Sequence, residues 1–274
     1  MTPARSVVKP WLTFLISAVF SAAARAGDIP VTIYADAGYP PYSYEKNGKP
    51  AGLYYEIVRA AFTRMKGYRI EVQTVPWKRG MALLKSGTAL ALYPPYMNTT
   101  DEPWTWPYSL PLYDEKVVAV CRKDVLAAGP RKRWPQDFYG LTIGNNAGFI
   151  VGGVAFEQAV RAGRLRVEEA RDSETNIIKL GLRRIDCYIN DRRSIQWTLK
   201  QLKAGGRYDE GGSHAELAEA TEIATEQGFL GFTDRDNGRF GYKTDFVKQF
   251  DNAIYQMKRN GEIEAIARNF FKTH

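Results

Sequence analysis

Residues 31–76, with the sequence VTIYADAGYPPYSYEKNGKPAGLYYEIVRAAFTRMKGYRIEVQTVP, contain the pattern that decides the fold. Val31 to Ala35 is a short apolar run typical of a strand. The apolar side chains from Leu53 to Met65 then recur at the spacing of one helix face, and those from Ile70 to Thr74 alternate as in a second strand. This order predicts an α/β fold in which a mostly parallel sheet has helices on both faces.

The same alternation continues to the end of the chain. A helix is predicted over Met81–Lys85, and further strands are predicted over Leu90–Tyr93, Val117–Val120, Leu141–Gly144, Leu165–Val167, Ile185–Ile189 and Glu222–Thr225. The apolar pattern from Phe246 to Phe270 predicts two helices, because Asn260-Gly261 interrupts it. No low-complexity linker separates the two α/β units. We therefore expect two lobes that are joined by hinge strands and enclose a cleft.

The first 26 residues have the three parts of a secretory signal peptide. Arg5 and Lys9 form a basic front, Trp11–Phe20 is an apolar run too short to span a bilayer, and Ala24-Arg25-Ala26 is an A-x-A cleavage site. A membrane anchor or a buried N-terminal helix are the alternatives. We expect residues 1–26 to be removed on export, and the cleavage site lacks the cysteine of a lipoprotein.

The composition excludes several classes of function. The chain of 274 residues is 45% hydrophobic and 25% charged, as in ordinary globular proteins. Its net charge of +8 falls by three, to +5, without the three basic residues of the signal segment. This charge is too small and too scattered to indicate a nucleic-acid partner. Two cysteines and two histidines supply neither a four-thiolate nor a histidine-rich metal centre, so we expect no metal and no cofactor.

Several segments, in order and spacing together, carry a resemblance to a known family. They are Tyr39-Pro40-Pro41-Tyr42-Ser43-Tyr44, Asn47-Gly48-Lys49, Gly52-Leu53-Tyr54-Tyr55-Glu56, Trp106 to Tyr113, Arg184 to Asp191, and Lys258 to Gly261. With them the chain resembles family 3 of the extracellular solute-binding proteins, the periplasmic receptors of polar amino-acid importers. The resemblance covers nearly all of the mature chain.

The resemblance implies a two-lobed type II periplasmic binding protein. Lobe 1 would comprise residues 27–116 and 227–274, and lobe 2 would comprise residues 117–226. Such a protein is a periplasmic monomer that captures a small polar solute, an amino acid or an amine-like molecule, and delivers it to an ABC permease. It is not an enzyme. The alternative is a periplasmic accessory or sensor protein of the same fold that does not feed a transporter.

The resemblance also implies a set of ligand contacts. Tyr39 and Trp77 match the aromatic walls of the cleft, although each could instead pack in a lobe core. Asp36 matches a position near the ligand, and Asp191 matches the acid that takes the ligand ammonium. Either aspartate could instead be a cap, Asp36 at a strand-end turn and Asp191 at a helix N-terminus. Ala147 and Gly148 match a lobe 2 loop whose N–H groups face the ligand carboxylate, and the alternative is a plain turn.

One position departs from the family. Counting back from Ser109, the arginine that binds the ligand carboxylate falls on Glu102, and a carboxylate there repels another one. Three explanations stay open: the ligand lacks a free α-carboxylate, Arg79 replaces the missing cation, or the loop shifts by a residue or two. With Asp36, Asp191 and Glu102 near the cleft, a cationic or amine-bearing solute becomes a reasonable hypothesis.

The two cysteines fall on predicted lobe 2 strands. Cys121 and Cys187 could be neighbours there, and an exported protein can form a disulfide. Two buried reduced thiols would pack equally well. Neither cysteine has an obvious histidine partner that would indicate nucleophilic catalysis.

Overall fold

The computed structural model describes residues 28–273, so the predicted signal segment 1–26 lies outside the described residues. Its strands are β1 Ile29–Asp36, β2 Gly38–Tyr39, β3 Ser43–Lys46, β4 Lys49–Ala51, β5 Tyr68–Val75, β6 Ala91–Tyr93, β7 Thr105–Tyr108, β8 Tyr113–Arg122, β9 Thr142–Asn146, β10 Arg166–Ala170, β11 Cys187–Asp191, β12 Leu217–Gly228 and β13 Gly231–Thr233. Its α-helices are α1 Leu53–Phe62, α2 Trp77–Lys85, α3 Lys123–Ala127, α4 Val154–Arg161, α5 Ser173–Gly181, α6 Arg192–Ala204, α7 Lys243–Arg259 and α8 Glu262–Thr273.

The first large sheet has the strand order β5-β1-β6-β13-β7. β1 pairs in parallel with β5 and β6, whereas β13 is antiparallel to both β6 and β7. The two C-terminal helices α7 and α8 pack on this lobe, where Phe246, Phe250 and Ile254 join Leu53 and Ile57 of α1 in one core. Both ends of the described chain therefore build the first lobe.

The second large sheet has the order β10-β9-β11-β8-β12. β9 pairs in parallel with β10 and β11, and β8 is antiparallel to β11 and β12. The α/β two-lobed fold predicted from the sequence is confirmed, but each large sheet contains two parallel and two antiparallel pairings. These antiparallel pairs all involve β8 or β13. β8 enters the second lobe directly after β7 and β13 re-enters the first lobe directly after β12, so neither strand follows a crossover helix.

The two long strands β8 and β12 link the lobes. They pair with each other along their whole length, from Tyr113↔Gly228 to Arg122↔Leu217, and the register shifts at two places. The predicted lobe boundaries, 116/117 and 226/227, fall within these strands. Because successive strand residues point to opposite faces, Val117 and Ala119 enter one core of the second lobe while Val118 enters another.

Cys121 on β8 and Cys187 on β11 form a disulfide, with their Cα atoms 4.0 Å apart. The two residues are direct partners in the antiparallel pairing of these strands. Of the two alternatives that the sequence leaves open, the structure therefore has the disulfide and not two reduced thiols.

A small sheet of β2, β3 and β4 lies beside the first large sheet and was not predicted. It turns the chain so that Tyr39 and Tyr42 point into the core of the first lobe. Gly52, which follows this sheet, has φ +115°, and a Cβ there would lie 2.3 Å from the carbonyl oxygen of Tyr42. Only glycine allows this close approach, which seats α1 against the aromatic segment.

Across residues 28–273, none of the helices combines the length and the apolar character needed to cross a membrane.

Candidate functional site

A cavity of about 40 Å³ lies between the two lobes. It is lined by Asp36, Tyr39, Trp77, Pro94, Tyr96, Asn98 and Glu102 from the first lobe and by Gly148, Phe149, Ile150 and Val151 from the second. Five of the seven residues expected at the ligand site are thus brought together here: Asp36, Tyr39, Trp77, Glu102 and Gly148.

Asp36 ends β1 at the cavity. Its Oδ1 accepts a hydrogen bond from the Gly38 N–H over 2.9 Å, so it also makes the strand-end turn that was the alternative interpretation. Burial raises the pKa of Asp36 to about 7, although the hydrogen bond from Gly38 acts in the opposite direction. The side chain is 3% exposed and has no ion pair within the described part of the chain.

Tyr39 lines the cavity and is also part of the first-lobe core. Core packing, the alternative interpretation, therefore describes part of its contacts, and its contact with a ligand stays a prediction. Its hydroxyl donates to the carboxylate of Glu115 and lies 3.0 Å from the hydroxyl of Tyr96. Tyr54 and Tyr96 also donate to Glu115, the latter over 2.8 Å. Three phenols therefore converge on one buried carboxylate directly behind the cavity wall.

Glu115 was missed at the sequence level. It is 1% exposed on β8, and its pKa is raised to about 8, mainly by burial and then by the charge of Asp191. The sequence does contain a sign of this burial. Alternate strand residues point to the same face, so Glu115 shares a face with the buried Val117 and Ala119. The neighbouring charges Asp114 and Lys116 obscured it.

Trp77 begins α2 and contacts the second lobe directly. Its indole Nε1 donates to the carbonyl oxygen of Gly148 over 3.2 Å, and its ring centroid is 5.7 Å from that of Phe149. The next residue, Lys78, forms an ion pair of 2.5 Å with Glu169 on β10. These contacts join the two lobes beside the cavity.

The lobe 2 loop differs from what the sequence suggests. Ala147 does not line the cavity, because its N–H continues the strand pairing and donates to the Ala170 carbonyl over 2.8 Å. The Gly148 N–H donates to Oε1 of Glu169 over 3.0 Å, and the Phe149 N–H donates to the Asn146 carbonyl over 2.9 Å. Each N–H group expected to face a ligand carboxylate already has an acceptor in the protein.

Asp191 is also placed differently from the expectation. It is 1% exposed and caps α6: Oδ1 accepts from the Ser194 N–H and Oδ2 from the Lys116 N–H, each over 2.9 Å. It is absent from the cavity lining and belongs to a separate groove with Tyr42 and Arg193. The capping alternative therefore describes its local contacts, because the strand end and helix start take up both carboxylate oxygens.

Glu102 lies in the cavity wall between Asn98 and β7. Its pKa is raised to about 7, mainly by burial and then by the charge of the nearby Asp101. Arg79, the alternative cation, is exposed on α2 and does not line the cavity. The lining therefore carries two carboxylates and no lysine, arginine or histidine.

A family model for bacterial extracellular solute-binding proteins, family 3, matches residues 31–273 of the chain. The chain belongs to this family. A comparison with curated protein sequences finds no match. The family is described as one of extracellular solute-binding proteins, and the α/β fold with two lobes is the fold of that family.

Solved structures share the fold of this solute-binding protein. A histidine kinase sensor domain described as similar to periplasmic binding proteins has a TM-score of 0.70 at 18% identity, over 90% of this chain and 97% of its own. The arginine-, lysine-, histidine-binding protein ArtJ of Geobacillus stearothermophilus has a TM-score of 0.66 at 17% identity, over 89% and 95%. An ABC transporter substrate-binding protein of Streptococcus pneumoniae with bound histidine has a TM-score of 0.65 at 20% identity, over 89% and 92%.

Proposed function

We propose that this protein is a periplasmic receptor that captures a small polar solute, an amino acid or an amine-like molecule, between its lobes for an ABC importer. The observation that carries the proposal is the cavity between two lobes that β8 and β12 connect as a paired hinge. Signal-peptide cleavage after residue 26 would deliver the mature chain as a monomer to the periplasm. Binding, closure and delivery require no bond chemistry, so no enzymatic step is proposed.

Within this proposal, four side chains and one backbone position contact the ligand: Asp36, Tyr39, Trp77, Glu102 and Gly148. Tyr39 and Trp77 supply aromatic faces, and the two carboxylates supply hydrogen-bond acceptors. Ala147 and Asp191 act indirectly. Ala147 fixes the loop to β10, and Asp191 ties the start of α6 to Lys116 of the hinge strand.

Ligand entry requires the lobes to separate. The cavity of about 40 Å³ holds only about three water molecules at roughly 10–15 Å³ each. The bonds from Trp77 to Gly148 and from Lys78 to Glu169 must break during opening, while the hinge strands stay paired. Gly148 has φ +83°, and a Cβ there would meet Cγ of Lys78 at 3.0 Å, so glycine permits this close contact of the lobes.

A second candidate function is a sensor or accessory role with the same fold. The similarity to a histidine kinase sensor domain favours it. The direct contacts between the lobes around Trp77 would stabilise a closed form, and a partner protein could bind that form specifically. In both functions the cleft binds a solute, and the two differ in what the closed form contacts.

The experiment that tests the proposal is a thermal-shift and calorimetric screen of the mature chain with amino acids, amines and small acids. A ligand that binds only the folded state raises stability by about 2.7 kcal/mol at a hundredfold excess over Kd. Loss of uptake of that ligand in a strain lacking the protein supports transport. Intact uptake together with a lost transcriptional response supports the sensor role, and no binding by any compound contradicts both.

A further inference from the structure

We propose that the cleft selects a small organic cation that has no carboxylate group, an amine of the kind formed by decarboxylating an amino acid. This inference rests on the proposed solute-binding function and specifies the chemical class of its ligand. It follows from the charge, the aromatic faces and the occupied backbone donors of the cavity wall.

The first observation is that the carboxyl groups of the wall lack a cationic partner in the described part of the chain. Asp36 and Glu102 line the cavity, and Glu115 lies behind Tyr39 and Tyr96. Between residues 28 and 273, none of these three carboxylates forms an ion pair with a lysine, arginine or histidine. Burying an unpaired carboxylate is costly, and a ligand cation in the cavity would offset that cost.

The second observation is the aromatic lining. Tyr39, Trp77, Tyr96 and Phe149 surround the same space, with the rings of Tyr39 and Phe149 at 5.4 Å in an edge contact. The negative faces of aromatic rings attract a desolvated ammonium or guanidinium. Aromatic rings and carboxylates together form a common protein environment for a cationic ligand.

The third observation concerns the loop at 147–149. Its three N–H groups donate to Ala170, Glu169 and Asn146, so none is left for a ligand anion in this arrangement. Glu169 places the protein's own carboxylate on the Gly148 N–H and is held there by Lys78. A ligand carboxylate would have to displace Glu169 and would also face Glu102 and Asp36.

The fourth observation is the size of the closed space. A volume of about 40 Å³ accommodates a primary ammonium head group, which is close to a water molecule in size. The remainder of the ligand would extend toward Trp77 and Gly148, where the lobes must move apart. The wall therefore recognises the cationic end.

Matched ligand pairs test the inference by calorimetry at pH 8 on the mature protein. Tyramine is compared with tyrosine, agmatine with arginine, and cadaverine with lysine; each pair differs by one carboxylate. We expect at least one amine to bind about tenfold or more tightly than its parent amino acid, the ratio of one charge-assisted contact. The carboxamide of the same amino acid should bind like the amine, because it also lacks the negative charge.

The outcomes separate the inference from the proposed function. Binding of an amino acid as tight as or tighter than binding of its amine overturns the inference and leaves the solute-binding function intact. No binding by amines, amino acids or small acids overturns both.

Two isosteric variants test whether the carboxyl groups of Asp36 and Glu102 bind the ligand cation. Asp36→Asn retains an oxygen acceptor for the Gly38 N–H, and Glu102→Gln retains the side-chain volume, so both should fold, with a Tm at pH 5 close to that of the parent. Each should weaken binding of the best amine about tenfold or more. Asp101→Asn is the matched control, because it removes one charge beside Glu102 from an exposed residue outside the lining. An equal effect in the control, or none in either variant, contradicts the inference.

Discussion

The carboxylate of Glu169 accepts a hydrogen bond from the N–H of Gly148 over 3.0 Å, and the same carboxylate forms an ion pair with Lys78 of the other lobe. One side chain of the second lobe therefore satisfies the cleft loop and also connects the lobes. Glu169 and Lys78 are both substantially exposed, so the pair is expected to contribute only about 0–1 kcal/mol to stability. The ion pair should instead affect the equilibrium between the open and closed arrangements of the two lobes.

Substitution of Glu169 should shift the protein toward an open form. In Glu169→Gln the ion pair to Lys78 is lost, so we expect a larger radius of gyration by small-angle scattering. The free energy of unfolding should change by only about 1 kcal/mol or less. Glu168→Gln is the matched control, since Glu168 pairs with Lys179 within the second lobe. Equal scattering from both variants would show that the Lys78 contact does not hold the lobes together.

Glu102→Arg should invert the charge preference of the cleft. The guanidinium introduces the cation that the wall lacks, and it can pair with a carboxylate in two parallel hydrogen bonds. We expect amino-acid binding to be gained and amine binding to weaken about tenfold or more, measured by calorimetry. Asp101→Arg, one residue away, should change neither. Amino-acid affinity that is unchanged in Glu102→Arg would place the side chain outside the ligand contact.

The thermal stability of the ligand-free protein should fall as pH rises from about 4 to about 8. The pKa values of Asp36 and Glu102 are raised to about 7, and that of Glu115 to about 8, chiefly by burial. The native state then holds protons that the unfolded chain releases near pH 4, so unfolding becomes easier with rising pH. Calorimetric Tm values at pH 5 and pH 8 measure this slope.

Charges around these groups support that sign. Asp172 faces Asp36, Asp101 faces Glu102, and Asp191 faces Glu115, and each favours the protonated acid. The hydrogen bonds from Gly38 and from the three tyrosines oppose the shift without cancelling it. Asp36→Asn should flatten the slope, and a bound cation should restore Tm at pH 8. A Tm that rises across this interval would contradict the prediction.

Reduction of the Cys121–Cys187 disulfide should destabilise the second lobe. The bond joins residues 66 apart in the chain, so it restricts the unfolded state, typically by about 2–4 kcal/mol. Urea unfolding with and without reductant measures the difference in unfolding free energy. Thiol titration in denaturant is the control: two free thiols in the absence of reductant would contradict the disulfide itself.

Much of the fold could be predicted from the sequence, because its elements are local. The 3.6-residue spacing of α1, the alternation of β5 and the glycine break between α7 and α8 are all visible in residue order. The antiparallel pairs of each large sheet were not predicted. They depend on which distant strands meet, and β8 with β12 pair across about a hundred residues.

The candidate site was predicted in part for the same reason. Asp36 and Trp77 stand at strand and helix ends, where cleft residues gather, and both line the cavity. Asp191 and Ala147 stand at such ends too, yet their polar groups are used by Ser194, Lys116 and Ala170. Which end faces the cleft depends on how the lobes close, and residue order carries no signal for that.

By itself, the sequence determined the α/β alternation, the family, the aromatic-proline segment and the acid at position 102, because these depend on residue type and spacing. The tertiary structure decided the rest. It buried Glu115 beneath Tyr39, Tyr54 and Tyr96, and it placed Glu169 on the Gly148 N–H. The physical reason is that a buried charge and a satisfied donor are properties of groups distant in the chain, and packing alone brings those groups within hydrogen-bonding distance.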